Sequence, residues 1–128
     1  MGDTIRITGA EADIDCVQAT AAVAYTTSST EVRGTAVDTT AYPGKRLFVV
    51  FNHAADATST GVTLTVLESA SSAGTYTAAT KTGTVAASTS ARTTVVQVKR
   101  NPGKPFVKSS FTPAGGSGVI AATYLFMR

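Results

Sequence analysis

No long segment of this chain carries apolar residues at a helical spacing; short alternating runs recur between clusters of Gly, Pro, Ser and Asn. That pattern predicts strands joined by turns. The clearest run is "VTLTVLES" (62–69). It puts Val62, Leu64 and Val66 on one face and Thr63 and Thr65 on the other. Leu67 then falls on the threonine face and needs cover from another element or a partner. "KRLFVVFNHA" (45–54) is almost continuously apolar, which predicts a central strand covered on both faces. "TEVRGTAVDTT" (30–40) reads as a strand with a bulge at Gly34. "TYTAATKTGTV" (75–85) reads as a weak edge strand.

The turns are as legible as the strands. "AYPG" (41–44) pairs a fixed proline φ with a glycine that accepts positive φ. "RTTVVQVKR" (92–100) and "PFVKSSFTP" (105–113) flank "NPGK", which predicts a hairpin through a type II turn. "AGGSG" (114–118) links to a closing strand, "VIAATYLFMR" (119–128), which should pin the chain end in a sheet. Residues 1–30 are harder. "TIRIT" places Ile5 and Ile7 on one face of a short strand or arm, and residues 9–30 fit an irregular strand or a short helix. The expectation is an all-β, single-domain antiparallel β-sandwich of about eight strands, jelly-roll or immunoglobulin-like. Residues 31–128 form the sandwich and 1–30 an arm or irregular strand region.

Length supports one domain: 128 residues can hide roughly two thirds of the unfolded chain's surface. The charged fraction is only 15%, against about 25% in an average soluble protein. Thr, Ala, Ser and Gly fill the gap, a mix that is poor for helices. Cys16 is the sole cysteine, so no intrachain disulfide forms, and the expectation for it is a small buried apolar group. "MGDTIRITGAEADIDC" lacks an apolar signal core, and "VIAATYLFM" is too short for a membrane-spanning helix. Synthesis in the cytoplasm and no membrane partner are expected.

Charge is distributed unevenly. Residues 1–68 hold four Lys/Arg and all eight Asp/Glu, while residues 69–128 hold seven Lys/Arg and no acid. If the halves interleave as strands, these charges mix; if they separate in space, the molecule has poles. Lys99, Arg100, Lys104 and Lys108 flank one turn. No aromatics are interleaved with them as in single-strand binders, so nucleic acid is not the expected partner.

Catalytic chemistry finds little support. His53 is the only histidine, with Asp56 three residues on. A catalytic triad needs a nucleophile beside it, and no G-x-S-x-G elbow exists; a loop histidine making an ordinary hydrogen bond is the expectation. Glu11, Asp13 and Asp15 would share one strand face and could meet calcium, but they lack a calcium-loop spacing. Zinc needs more Cys or His than the chain has. Glu68 would need a second acid to act as a glycosidase, and there is no tryptophan to stack a sugar. No catalytic residue, metal or cofactor is expected.

The order "TAVDTTAYPGKRLFVVFN", "VTLTVLESASSAGTYTAAT", "TVVQVKRNPGKPFVKSSFTPAGGSGVIAATYLFM" resembles the head decoration (cement, capsid-stabilising) proteins of tailed bacteriophages over residues 35–127. The turn after "ES" carries Ala73-Gly74 where that family usually has Asp-Gly. The resemblance implies a virion structural protein, not an enzyme. It would sit on the outer capsid surface, bridge major capsid subunits, stabilise the head and act as a dimer or trimer. Ile5, Ile7, Leu67, Lys99, Arg100, Lys104 and Lys108 are the candidate capsid or subunit interface. The alternatives are another phage structural sandwich, in a tail or fibre, and a carbohydrate-binding module.

Overall fold

The alternating runs become nine strands in a computed structural model that describes residues 14–25, 30–56 and 61–128, without the side chains of 80–84. They are β1 (Ile14–Tyr25), β2 (Val32–Arg33), β3 (Val37–Asp38), β4 (Arg46–His53), β5 (Gly61–Ser69), β6 (Thr77–Val85), β7 (Arg92–Val98), β8 (Phe106–Gly115) and β9 (Gly118–Met127). One sheet has the order β1-β9-β4-β7; the other has β2-β8-β5-β6, with β3 also on β8. All pairings are antiparallel. Because β2 and β3 both lie along β8, they are two pieces of one interrupted strand. Eight strands in this order, crossing repeatedly between sheets, make a jelly roll.

Inward positions build the core. Leu47, Val49 and Phe51 of β4 and Ile120, Tyr124 and Phe126 of β9 face Val62, Leu64 and Val66 of β5 and Phe111 of β8; all are essentially inaccessible. Tyr42 stacks on Phe126 with ring centroids 4.0 Å apart and planes 11° apart, closing one end. The β5 alternation is as the sequence predicts, and β6 is an edge strand.

Several expectations change. Residues 14–25 are the irregular-strand alternative: β1 pairs with β9 through two register shifts, so the sandwich begins before residue 31. Cys16 is exposed, because on this edge strand Ile14, Cys16 and Gln18 take the outward parity. β7 and β8 are not a hairpin. β7 pairs with β4 and β8 with β5, so residues 99–105 cross from one sheet to the other. Turn residues specify a reversal, but not the plane of the returning strand. Gly103 has no positive φ; instead the Asn101 side chain accepts its N–H at 3.0 Å. Gly44 does take positive φ, at 72°.

The strand at 45–54 is central but covered on one face only. Phe48 and Val50 point outward and remain half-exposed. Gly34 marks the break between β2 and β3, and its N–H bonds the Ser109 carbonyl at 2.8 Å. A Cβ there would strike the Ser109 hydroxyl and come 2.7 Å from the Ala19 carbonyl, so the close approach of the two sheets requires glycine.

Candidate functional site

Two ends of the sandwich gather polar chemistry. At one, β1 delivers Tyr25, β4 delivers His53, the following loop Asp56 and β7 Arg92. Gly118 lies opposite Tyr25 in register, and its missing Cβ makes room for the ring. The Tyr25 hydroxyl donates to Asp56 Oδ2 at 3.0 Å and meets His53 Nε2 at 2.8 Å. Arg92 Nη2 donates to Asp56 Oδ1 at 2.7 Å and lies 2.5 Å from His53 Nδ1. Ser88 N–H also donates to Asp56, at 3.0 Å. Burial pushes the Asp56 carboxyl up. The Ser88 N–H, the Tyr25 hydroxyl, His53 and Arg92 outweigh it and hold the group below the usual value.

His53 and Asp56 are saturated in this cluster, while Arg92 Nε and Nη1 are buried with no hydrogen-bond partner among the described residues. His53 is buried at a strand end, not a loop residue, because the even positions of the apolar run stay outward and its parity is inward. Both its nitrogens are occupied, Nδ1 also meeting the Ala54 carbonyl at 2.9 Å. No Ser or Cys nucleophile is bonded to the ring among the described residues. The arrangement therefore ties three strands and a loop together. Nothing local in the sequence marks it beyond the His53–Asp56 spacing, since Tyr25 and Arg92 come from distant segments.

The other end is basic. β4 begins there while β7 and β9 end there, as the pairings Leu47–Val98 and Leu47–Phe126 require. Segments 39–45 and 99–105 join the same end to β3 and β8. Lys45, Arg46, Lys99, Arg100, Lys104, Lys108 and Arg128 collect at this end, against Asp15, Asp38 and Glu68. Five of the seven cations of residues 69–128 thus lie at this end, with Arg92 at the other, and the three acids interleave with them and leave the end net basic. Lys45 pairs with Asp15 at 2.6 Å. Glu68 lines a groove of about 410 Å³ with Lys99, Arg100 and Asn101, and no second carboxylate lines it among the described residues.

The candidate interface residues divide. Lys99 is exposed, while Lys104 is half-buried and reaches Thr77 Oγ1 at 3.1 Å. Lys108 lies with its ammonium 4.5 Å from the Tyr76 ring centroid. Arg100 turns inward: it donates to the carbonyls of Tyr42 at 2.6 Å, Lys45 at 2.7 Å and Thr39 at 2.5 Å, clamping the 39–45 segment. Leu67 sits on the outer face opposite Lys108 yet is buried. Tyr76, also buried, donates to the Ser72 carbonyl at 2.9 Å, which holds the turn after β5 together. Ile5, Ile7, Glu11 and Asp13 lie outside the described residues. Among the described residues no cluster of three His, Cys, Asp or Glu could hold a metal, and no helix is long and apolar enough to cross a membrane.

No family model matches the sequence, and no curated protein matches it. Solved structures match by fold. One is a chain of infectious bursal disease virus Gx strain, with a TM-score of 0.54 at 6% identity, covering 88% of this chain and 31% of that one. Another is the enzymatically active domain of bacteriophage CBA120 tailspike protein 4, with a TM-score of 0.53 at 11% identity, covering 91% of this chain and 19% of that one. The chain spans less than a third of either viral chain. At these identities the likeness is one of fold, and that fold is the β-sandwich.

Proposed function

We propose that this protein is a virion structural protein that binds the outer surface of a phage capsid, bridges major capsid subunits and stabilises the head. The observation that carries the reading is the basic end of the jelly roll, where the exposed Lys99 stands with the half-exposed Lys104 and Lys108. Such a pole docks on an acidic surface by complementary potential. On a repeating lattice, many modest contacts add through multivalency. The sequence resemblance to head decoration proteins points the same way, and the fold is one that a virus particle and a phage tailspike also use. The reading assigns no reaction and no cofactor, and its partner is the major capsid protein.

The test is to mix purified protein with expanded, emptied heads of its own phage. Saturable, salt-sensitive binding and greater resistance of the heads to heat or chelator are expected. Lys99→Glu with Lys104→Glu should weaken binding at least tenfold. Failure of the native protein to bind such heads overturns the reading. Cryo-EM of the virion separates it from a tail or fibre role, because decoration requires copies distributed over the shell.

A further inference from the structure

Two contacts at His53 Nδ1 exclude one another. Arginine has no acceptor, so Arg92 Nη2, 2.5 Å away, can only donate, and Nδ1 must then carry a lone pair. The Ala54 carbonyl, 2.9 Å from the same nitrogen, can only accept, and needs a proton on Nδ1. The other ring nitrogen is fixed. Asp56 is held ionised by its partners and takes the Tyr25 proton at 3.0 Å. The Tyr25 oxygen, 2.8 Å from Nε2, is then an acceptor toward the ring, as is Asp56 Oδ2 at 3.2 Å. Nε2 therefore carries a proton, and the neutral ring turns its lone pair on Nδ1 toward Arg92.

We infer that His53 is a proton-operated latch on Arg92: the neutral ring holds the guanidinium in, and the protonated ring donates to the Ala54 carbonyl and releases it. Protonation turns the Nδ1 lone pair into an N–H, so the bond from Arg92 is lost and two cations face each other across the same gap. The titratable groups facing the ring are Tyr25 from β1, Asp56 from the loop after β4 and Arg92 from β7. β9 brings Ile120, the register partner of His53, and β8 brings Phe111 against Tyr25; neither titrates. The ring keeps its place, because its Nε2–H contacts are the same in both states. Arg92 is the group that moves. Its Nε and Nη1 have no hydrogen-bond partner among the described residues, so the bonds of Nη2 alone hold the guanidinium. The side chain is already 20% exposed, on a cleft of about 330 Å³ lined by Asn52, Thr93 and Val119. Release lets the unpaired donors reach water, which offsets part of the lost bond. Arg92 also opens β7 and pairs with His53 in the ladder, so its release loosens the start of that strand and puts a cation on the surface at the end away from Lys99 and Lys104. Imidazole is the side chain that ordinarily changes charge between about pH 5 and 8, so the latch answers to mild acid. It does not rest on head binding.

His53 is the only histidine, so one pair of imidazole ¹⁵N signals reports it. NMR on the full chain follows these from about pH 8 to about pH 5, together with the Arg92 Nε–H signal, assigned through its own side-chain carbons. At the alkaline end the ¹⁵N shifts should report the Nε2–H tautomer. As the ring gains its second proton, protection of the Arg92 Nε–H from solvent exchange, relative to free arginine at the same pH, should fall at least about tenfold. His53→Gln keeps a donor for Tyr25 but has no Nδ1, so its Arg92 protection should be low throughout, without a step. The wild-type titration decides alone if that variant does not fold. An Nδ1–H tautomer at the alkaline end overturns the inference. So does a ring that stays neutral over this range, or one that titrates while Arg92 protection is unchanged, or a step that persists in His53→Gln.

Discussion

The Tyr124 hydroxyl crosses the sandwich from β9 and accepts the Ser109 backbone N–H of β8 at 3.0 Å. It donates in turn to the Thr35 carbonyl at 2.6 Å. Thr35 lies in the break between β2 and β3, where the edge strand leaves β8 and its ladder partners are lost. Tyr124 thus supplies the acceptor that the interruption removes, satisfying backbone groups that burial would otherwise penalise. Tyr124→Phe keeps the ring and its packing but leaves both groups unpaired. It should cost about 1–3 kcal/mol in urea unfolding, and a cost near zero would contradict this role.

Alkaline pH acts on the same hydroxyl. Burial pushes Tyr124 up to about 12, whereas an unfolded tyrosine ionises near 10. The folded state therefore favours the neutral form. Its contribution is fully present below about pH 10 and is lost as pH rises through about 12, a fall of roughly 2–3 kcal/mol. Urea midpoints between pH 8 and 12 should show this decline, and Tyr124→Phe should flatten it.

Arg100 holds the 39–45 segment by three carbonyls. A lysine presents a point charge and cannot reproduce that fork. Arg100→Lys should lose about 2–4 kcal/mol of stability, while Lys99→Ala, one residue away and exposed, should change it by less than ~0.5 kcal/mol. Equal effects in thermal melts would show that Arg100 acts as a surface charge instead.

Gly118→Ala would place a Cβ 2.6 Å from the Tyr25 hydroxyl and 2.8 Å from its Cζ. The ring must move, and its bonds to His53 and Asp56 break with it. A loss of about 2–4 kcal/mol is expected, together with a changed His53 imidazole NMR signal. An unchanged signal would mean the ring is not held by this contact.

Asp56 sets the acid limit of the same network. Its carboxyl is held below the ordinary value, so its contribution is present above an unfolded value of about 3.9 and is lost as pH falls through the lower folded value. Acid destabilisation from this group should therefore begin below about pH 4. Asp56→Asn removes that limb and leaves the part-buried Arg92 without its counter-charge, at a cost of about 2–3 kcal/mol. Denaturation at pH 3 and pH 7 checks both.

Much of the fold is legible in the chain, and particular residues show where legibility ends. Val62, Leu64 and Val66 point inward as their spacing dictates. β6 lies at an edge, as its threonine-rich run suggests. The basic residues around 99–108 are visible as a cluster, but the sequence does not separate Arg100, which turns into the backbone, from Lys99, which stays in solvent. Cys16 looks like core by residue type and is exposed because its strand is an edge. Leu67 looks unpartnered by parity and is buried within the chain.

Taken by itself, the sequence determines strand existence, inward faces and turn positions, because these follow from backbone sterics and a two-residue period within a few neighbours. The tertiary structure alone decides which strands pair, that residues 99–105 cross between sheets, and that Tyr25, His53, Asp56 and Arg92 meet. Those outcomes depend on how all the inward faces can be buried at once. That is a property of the whole chain's packing, and no local run encodes it.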